Sequence, residues 1–142
     1  MGRRYVTADV AGLWVGIGID RVREVLRGQR ITPVPLAPPT VAGLLNLRGE
    51  IVVALDLRER LAVERTDAPP TVVVVWADGE VVGLLVDDIG EVVDVDDEAW
   101  DCPPRTVDGG VRELLSGACP LPEGLLLTLD VDRVAAGAAV SA

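Results

Sequence analysis

Apolar residues along this chain come in short runs broken by Gly, Pro and Asp, a spacing that predicts strands rather than long helices. "YVTADVAG" and "LWVGIGID" read as two strands about a glycine turn. "RVREVLR" sets Val22, Glu24 and Leu26 against Arg21, Arg23, Val25 and Arg27. That period of two predicts a strand with arginine on one face, entered from a short turn at Asp20. "ITPVPLAPP" holds four of the ten prolines and is an extended loop. "TVAGLLNL" predicts one or two helical turns capped by Thr40. "EIVVALDL" reads as a strand, "DLRERL" as the short helix or turn that ends it, and "VERTDAPP" as a linker. Further on, "TVVVVW", "ADGE" and "VVGLLVDDIGEVVDV" give a hairpin signal with Asp78-Gly79 at the turn. "DDEAWDCPPRTVDGG" reads as loop. "VRELLSGACPL" and "GLLLTLDV" read as a strand pair joined through Pro122-Glu123-Gly124, and "DVDRVAAGAAV" as a short C-terminal helix.

About eight to ten short strands with little helix indicate an all-β barrel architecture. Two small barrels suit the pattern better than one large sandwich, because the linker near residues 62–70 falls close to the middle. Barrels this small are marginal alone, so the halves, residues 4–62 and 70–136, are expected to share a packed interface within one domain spanning 4–136.

Hydrophobic residues make up 49% of the 142 and charged residues 25%, so the chain can bury a core. No run approaches the ~18 apolar residues of a membrane span. The longest candidate, Val10 to Ile19, is bracketed by Asp9 and Asp20 and broken by glycines. "MGRRYV" has Val6 where a myristoylation signal needs Ser or Thr. A soluble, cytoplasmic protein without membrane insertion is the expectation. The net charge of −10 is uneven: residues 1–65 carry 10 Arg against 7 acids, residues 66–142 carry 3 Arg against 16. An acidic whole argues against nucleic acid. A basic half joined to an acidic half suits ordered docking to protein partners, and serves equally as a solubility surface.

The chain has no histidine, so the commonest general base and metal ligand are missing, as is any phosphorelay histidine. "GIGIDR" starts like a dinucleotide loop but has Arg21 at the third glycine position. "DVDDEAWDCPPR" resembles a calcium loop only at Asp94, Asp96 and Glu98; Ala99 and Arg105 stand where glycine and the closing glutamate belong. Asp87 and Asp88, adjacent on a strand, would point to opposite faces, and Asp130 and Asp132 read as helix capping. Ser116 and Ser141 have no histidine to activate them. Cys102 and Cys119 read as buried or incidental thiols. Trp14, Trp76 and Trp100 read as core or subdomain-interface fillers. Nothing assembles into an active site, and no metal or cofactor is expected.

One stretch stands out. In "VAGLLNLRGEIVVALDLRERL" a cation, Arg48, and then Gly49 stand at the mouth of a strand. The pattern Gly43, Asn46, Arg48, Gly49, then Asp56, Leu57 and Arg58, resembles the hallmark of the CheW family of chemotaxis coupling proteins. The resemblance extends through "GIGIDRVREVL", "ITPVPLAPPTVAG", "VVGLLVDDIGEVVDV" and "LLSGACPLPEGLLLTLDVDRV", roughly residues 4 to 136. It implies two intertwined five-stranded SH3-like β-barrels with short helices, with strand exchange near the termini.

The resemblance also implies a non-enzymatic adaptor. Its partners would be the cytoplasmic tips of methyl-accepting chemoreceptors and the regulatory domain of a CheA-type histidine kinase, in arrays at the inner membrane, with self-association in rings as a further option. Arg48 matches the family arginine and Glu24 the acid that pairs with it, either as a charged rim beside an apolar groove or as a fold-stabilising pair. Gly49 allows a tight turn or close approach of a partner. Val22, Val72, Ile89 and Val92 match positions of the receptor groove between the barrels. Three rivals remain at this point: a CheW-like scaffold of a non-flagellar pathway, such as one for motility, development or gene control; a small β-barrel enzyme using the acidic half; and a filler that forms rings without kinase.

Overall fold

The computed structural model describes residues 2–61, 70–96 and 109–136. The chain forms ten strands and three short α-helices over those residues. The first half runs β1 (Gly2–Val10), β2 (Leu13–Gly18), a 3₁₀ turn (Ile19–Arg21), β3 (Val22–Arg27), β4 (Val41–Leu47), β5 (Glu50–Asp56) and α1 (Leu57–Arg60). The second runs β6 (Thr71–Ala77), β7 (Glu80–Val86), β8 (Asp88–Asp96), α2 (Gly109–Arg112), β9 (Leu115–Leu121), β10 (Gly124–Leu129) and α3 (Val131–Ala135).

The strands make two five-stranded sheets: sheet I in the order β8-β1-β2-β10-β9, and sheet II in the order β3-β6-β7-β5-β4. The all-β class is as expected. Neither sheet is confined to one side of the 62–70 stretch, however. The β1–β2 hairpin joins the C-terminal strands, and the β6–β7 hairpin joins the N-terminal ones. Strands β1–β5 and β6–β10 are therefore two repeats that exchange a hairpin, not two separate sheets.

The repeat is visible pair by pair. The β1–β2 register Tyr5↔Gly18, Val6↔Ile17 becomes Val72↔Leu85, Val73↔Leu84 in β6–β7. The β4–β5 closure Leu47↔Glu50 becomes Leu121↔Gly124 in β9–β10. The parallel contacts Val53↔Val82 and Leu127↔Val15 correspond, and so do the edge pairs Val25↔Val73 and Val92↔Val6. Even the bulges fall in matching places on the two edges, β3 and β8.

Sheet II is curled. Strands β3 and β5 are separated by β6 and β7, a distance of roughly 14 Å in a flat sheet. Yet Arg48, on the β4–β5 turn, reaches Glu24 on β3 at 2.6 Å.

One face of each sheet packs on a shared core. Val10, Val15 and Ile17 from sheet I meet Leu55, Val73, Val75 and Leu84 from sheet II there. The opposite faces close smaller cores: Leu45, Val52, Val72, Val74 and Leu85 in sheet II, and Tyr5, Val95, Cys119 and Leu126 in sheet I. This is why "TVVVV" shows no alternation: Thr71 to Val75 are buried on both faces.

Several local expectations change. "TVAGLLNL" is not helical; Val41–Leu47 is a strand with alternating burial, bridged to Thr32 through Leu44. Gly43 has φ 155°, and a Cβ there would strike the Thr32 carbonyl. The run "VVGLLVDDIGEVVDV" breaks at Asp87 into β7 and β8, which belong to different sheets. Val111 and Arg112 belong to α2 rather than to β9. Trp100, Cys102, Ser141, the 62–69 linker and the calcium-like loop beyond Asp96 lie outside the described residues. Asp130 caps α3 by accepting the Arg133 N–H, as its position predicts.

Two ionic latches tie crossover, helix and hairpin turn together. In one, Arg58 of α1 lies between Asp56 (3.2 Å) and Asp87 (3.4 Å), and Asp87 also accepts the Ala11 N–H of the β1–β2 turn at 2.6 Å. In the other, Arg21 of the first crossover makes two hydrogen bonds to Asp132 of α3, at 2.7 and 3.0 Å. Asp132 also accepts the Asp78 N–H of the β6–β7 turn at 2.8 Å. The two latches tie matching turns, at Ala11 and Asp78, to matching helix positions, Arg58 and Asp132, with the charges exchanged between crossover and helix; Arg21 stands one residue beyond the place that matches Asp87.

Candidate interaction site

The β4–β5 turn is a two-residue connection in which both Arg48 (φ 51°) and Gly49 (φ 88°) are left-handed, as a tight hairpin requires. Asn46 holds it by accepting the Gly49 N–H at 2.8 Å. The turn therefore projects the Arg48 side chain across the barrel mouth, where Nη2 donates to Glu24 Oε2 at 2.6 Å. The Arg48 hydrogen bond holds the Glu24 carboxyl below its usual range, and Glu24 raises the Arg48 guanidinium in turn. Arg23 bonds Glu50 at 3.1 Å and lies 5.5 Å from the Trp76 ring centroid. Together these side chains form a charged rim, with exposed Ile51 next to Glu50 in β5 and exposed Trp76 beneath Arg23.

Four of the expected residues, Glu24, Asn46, Arg48 and Gly49, are thus brought together. The other four divide. Val22 and Ile89 sit at matching positions on the edge strands β3 and β8, half-buried against the shared core. Val92 is 51% exposed on β8. Val72 is a correction: expected on the groove, it is fully buried in the sheet II core with Val74 and Leu85 and offers no surface. Its strand is apolar on both faces, so nothing local marks which residues face inward.

The sequence reading passed over Arg23 and Val25. Val25 is exposed on β3 at the position matching Val92 on β8. The signal was present in "GIGIDRVREV" and "GLLVDDIGEV", which share Gly16/Gly83, Asp20/Asp87, Glu24/Glu91 and Val25/Val92. Cys119 is a buried free thiol whose pKa is raised by burial, which disfavours its reactive thiolate. Among the described residues no helix is long and apolar enough to cross a membrane, and no cluster of three or more Cys, Asp or Glu is placed to hold a metal ion.

The CheW-like domain profile matches residues 4–139. The chain belongs to the CheW-like domain family. It is 30% identical over 136 residues to the chemotaxis protein CheW of Bacillus subtilis strain 168, covering 94% of this chain and 86% of that one. It is 27% identical over 137 residues to the CheW of Treponema pallidum strain Nichols, covering 92% and 81%. A shorter match, 35% over 80 residues, joins it to Protein FrzA of Myxococcus xanthus, covering 56% of this chain and 50% of that protein. The fold matches the crystal structure of the scaffolding protein TtCheW from Thermoanaerobacter tengcongensis with a TM-score of 0.87 at 24% identity, over 98% of this chain and 97% of that one. The CheW-like fold and the paired Arg48 and Glu24 thus occur in one chain.

Proposed function

We propose that this protein is a non-enzymatic adaptor that couples methyl-accepting chemoreceptors to the regulatory domain of a CheA-type histidine kinase, working in the cytoplasm at receptor arrays. The observation that carries this reading is the CheW-like match along residues 4–139 together with the Arg48–Glu24 rim. The rim and the exposed valines of β3 and β8 offer what a helical receptor tip needs: an apolar seat with a fixed charge beside it. Val22, Ile89 and Val92 are the groove residues of this reading, and Arg48 and Glu24 fix orientation. Catalysis has no part in it.

The test is reconstitution of receptor-controlled kinase activity with the kinase and receptors recovered by pull-down from the native cells. Wild type is expected to confer receptor control, and Arg48→Glu to lose it while keeping the wild-type melting temperature. Recovery of neither kinase nor receptor, or full control by Arg48→Glu, would overturn the reading. The identity of the recovered kinase separates a flagellar pathway from a CheW-like scaffold serving another output.

A further inference from the structure

The two repeats differ at one matching place. In sheet II the mouth between β3 and the β4–β5 turn is bridged by this chain's own arginines, Arg48 to Glu24 and Arg23 to Glu50. In sheet I the same mouth lies between β8 and the β9–β10 turn. Glu91 stands where Glu24 does, flanked by Ile89 and Val92 in place of Val22 and Val25. Both arginines are missing: Gly90 replaces Arg23, and Pro122-Glu123 replaces Arg48-Gly49.

The result is an open cleft of about 670 Å³, floored by Leu13, Trp14, Leu125 and Leu127 and rimmed by Glu91 and Glu123. Both glutamates are exposed, and neither is in an ion pair among the described residues. Like charges on opposing lips cannot close the mouth as Arg48 and Glu24 do. The larger cleft near Tyr5, about 900 Å³, is different: two ion pairs already stand in its wall, Arg4 with Asp94 and Arg21 with Asp132.

We propose that the sheet I cleft receives an arginine-bearing, otherwise apolar turn of a partner protein, which supplies the cation that sheet II provides for itself. A planar guanidinium suits the place better than an ammonium. It bonds a carboxylate through two N–H groups and stacks on an indole. Sheet II already shows the arrangement, with Arg23 over Trp76 and bonded to Glu50. In sheet I the parts come from other positions: Trp14, across the β1–β2 pair from Asp9 where the match to Trp76 falls, supplies the ring, and Glu91 and Glu123 the carboxylates.

The probe is a cyclised peptide with the sequence of residues 44–53, the arginine turn that fills the mouth in sheet II, titrated into the full chain and followed by NMR. Shifts are expected at the Trp14 indole and the Leu125 methyls. Glu91→Gln combined with Glu123→Gln should weaken binding about tenfold, and citrulline in place of the peptide arginine should do the same. Both glutamates are exposed, so the variant should melt with wild type, which a thermal scan checks. Absence of binding at millimolar peptide, binding indifferent to the two glutamines, or shifts confined to sheet II would overturn the proposal. So would a glutamate-dependent dimer in sedimentation, which would give the cleft to a second copy.

Discussion

Arg48 is a non-glycine residue with φ 51°, held there by its place in a two-residue turn and by Asn46 on the following N–H. Its guanidinium is largely exposed and the Glu24 carboxylate less so. Their 2.6 Å contact therefore matters more for where the charges stand than for how firmly the protein folds. The pKa of Glu24 makes this measurable. Because Arg48 holds the carboxyl below its ordinary value, the pair is intact above the ordinary glutamate range and is lost only as pH falls through the lowered folded pKa. In a carboxyl NMR titration, Glu24 of the wild type is expected to titrate below an ordinary glutamate. Arg48→Ala should move its midpoint upward, since the largest cause of the shift is then gone. An unchanged midpoint would mean that the pair does not persist in solution.

Among the elements, β4 separates what residues announce from what only packing decides. "GLLNL" places leucines at the close spacing of a helix face, hence the expectation of helical turns there. What makes it a strand is pairing on both edges: the hairpin with β5, from Leu47↔Glu50 back to Val41↔Leu55, and on the other edge two backbone hydrogen bonds of 2.8 Å between Leu44 and Thr32, from a loop that the sequence marks only by its prolines. Gly43 records that approach. Gly43→Ala would set a methyl against the Thr32 carbonyl at a φ that L residues avoid. It is expected to destabilise the fold by about 2 kcal/mol or more, read as a lower melting temperature. An unaltered melting curve would show that the Thr32 bridge yields freely. The hairpin at Asp78-Gly79, the α1 turn and the Asp130 cap were legible because each depends on neighbours within a few residues. Arg48 and Glu24 were legible through family resemblance, and the misplacement of Val72 follows from a strand with no polar face to orient it.

At the scale of the whole molecule, hairpin exchange makes the two sheets depend on each other, and the latches show how they are held. Arg60 of α1 adds a further tie by donating to the Arg133 and Val134 carbonyls at the end of α3. The latches tie matching turns and helices but differ in environment. The Arg58 side chain is 8% exposed, with Asp56 and Asp87 similarly enclosed, whereas Arg21 is 39% exposed and Asp132 43%. Water competes for the second pair and scarcely reaches the first. Arg58→Met would remove the guanidinium that bonds two enclosed carboxylates, one of which also accepts the Ala11 N–H. A loss of about 3–5 kcal/mol is expected. Arg21→Met removes a solvated pair, and a loss of about 1 kcal/mol or less is expected, shrinking further in high salt. Denaturant unfolding of the two variants, at low and high salt, checks the ranking. Equal losses would mean that burial does not distinguish the latches. A second unfolding transition in Arg58→Met would mean that the sheets can separate while each stays folded, contrary to the interdependence that hairpin exchange imposes.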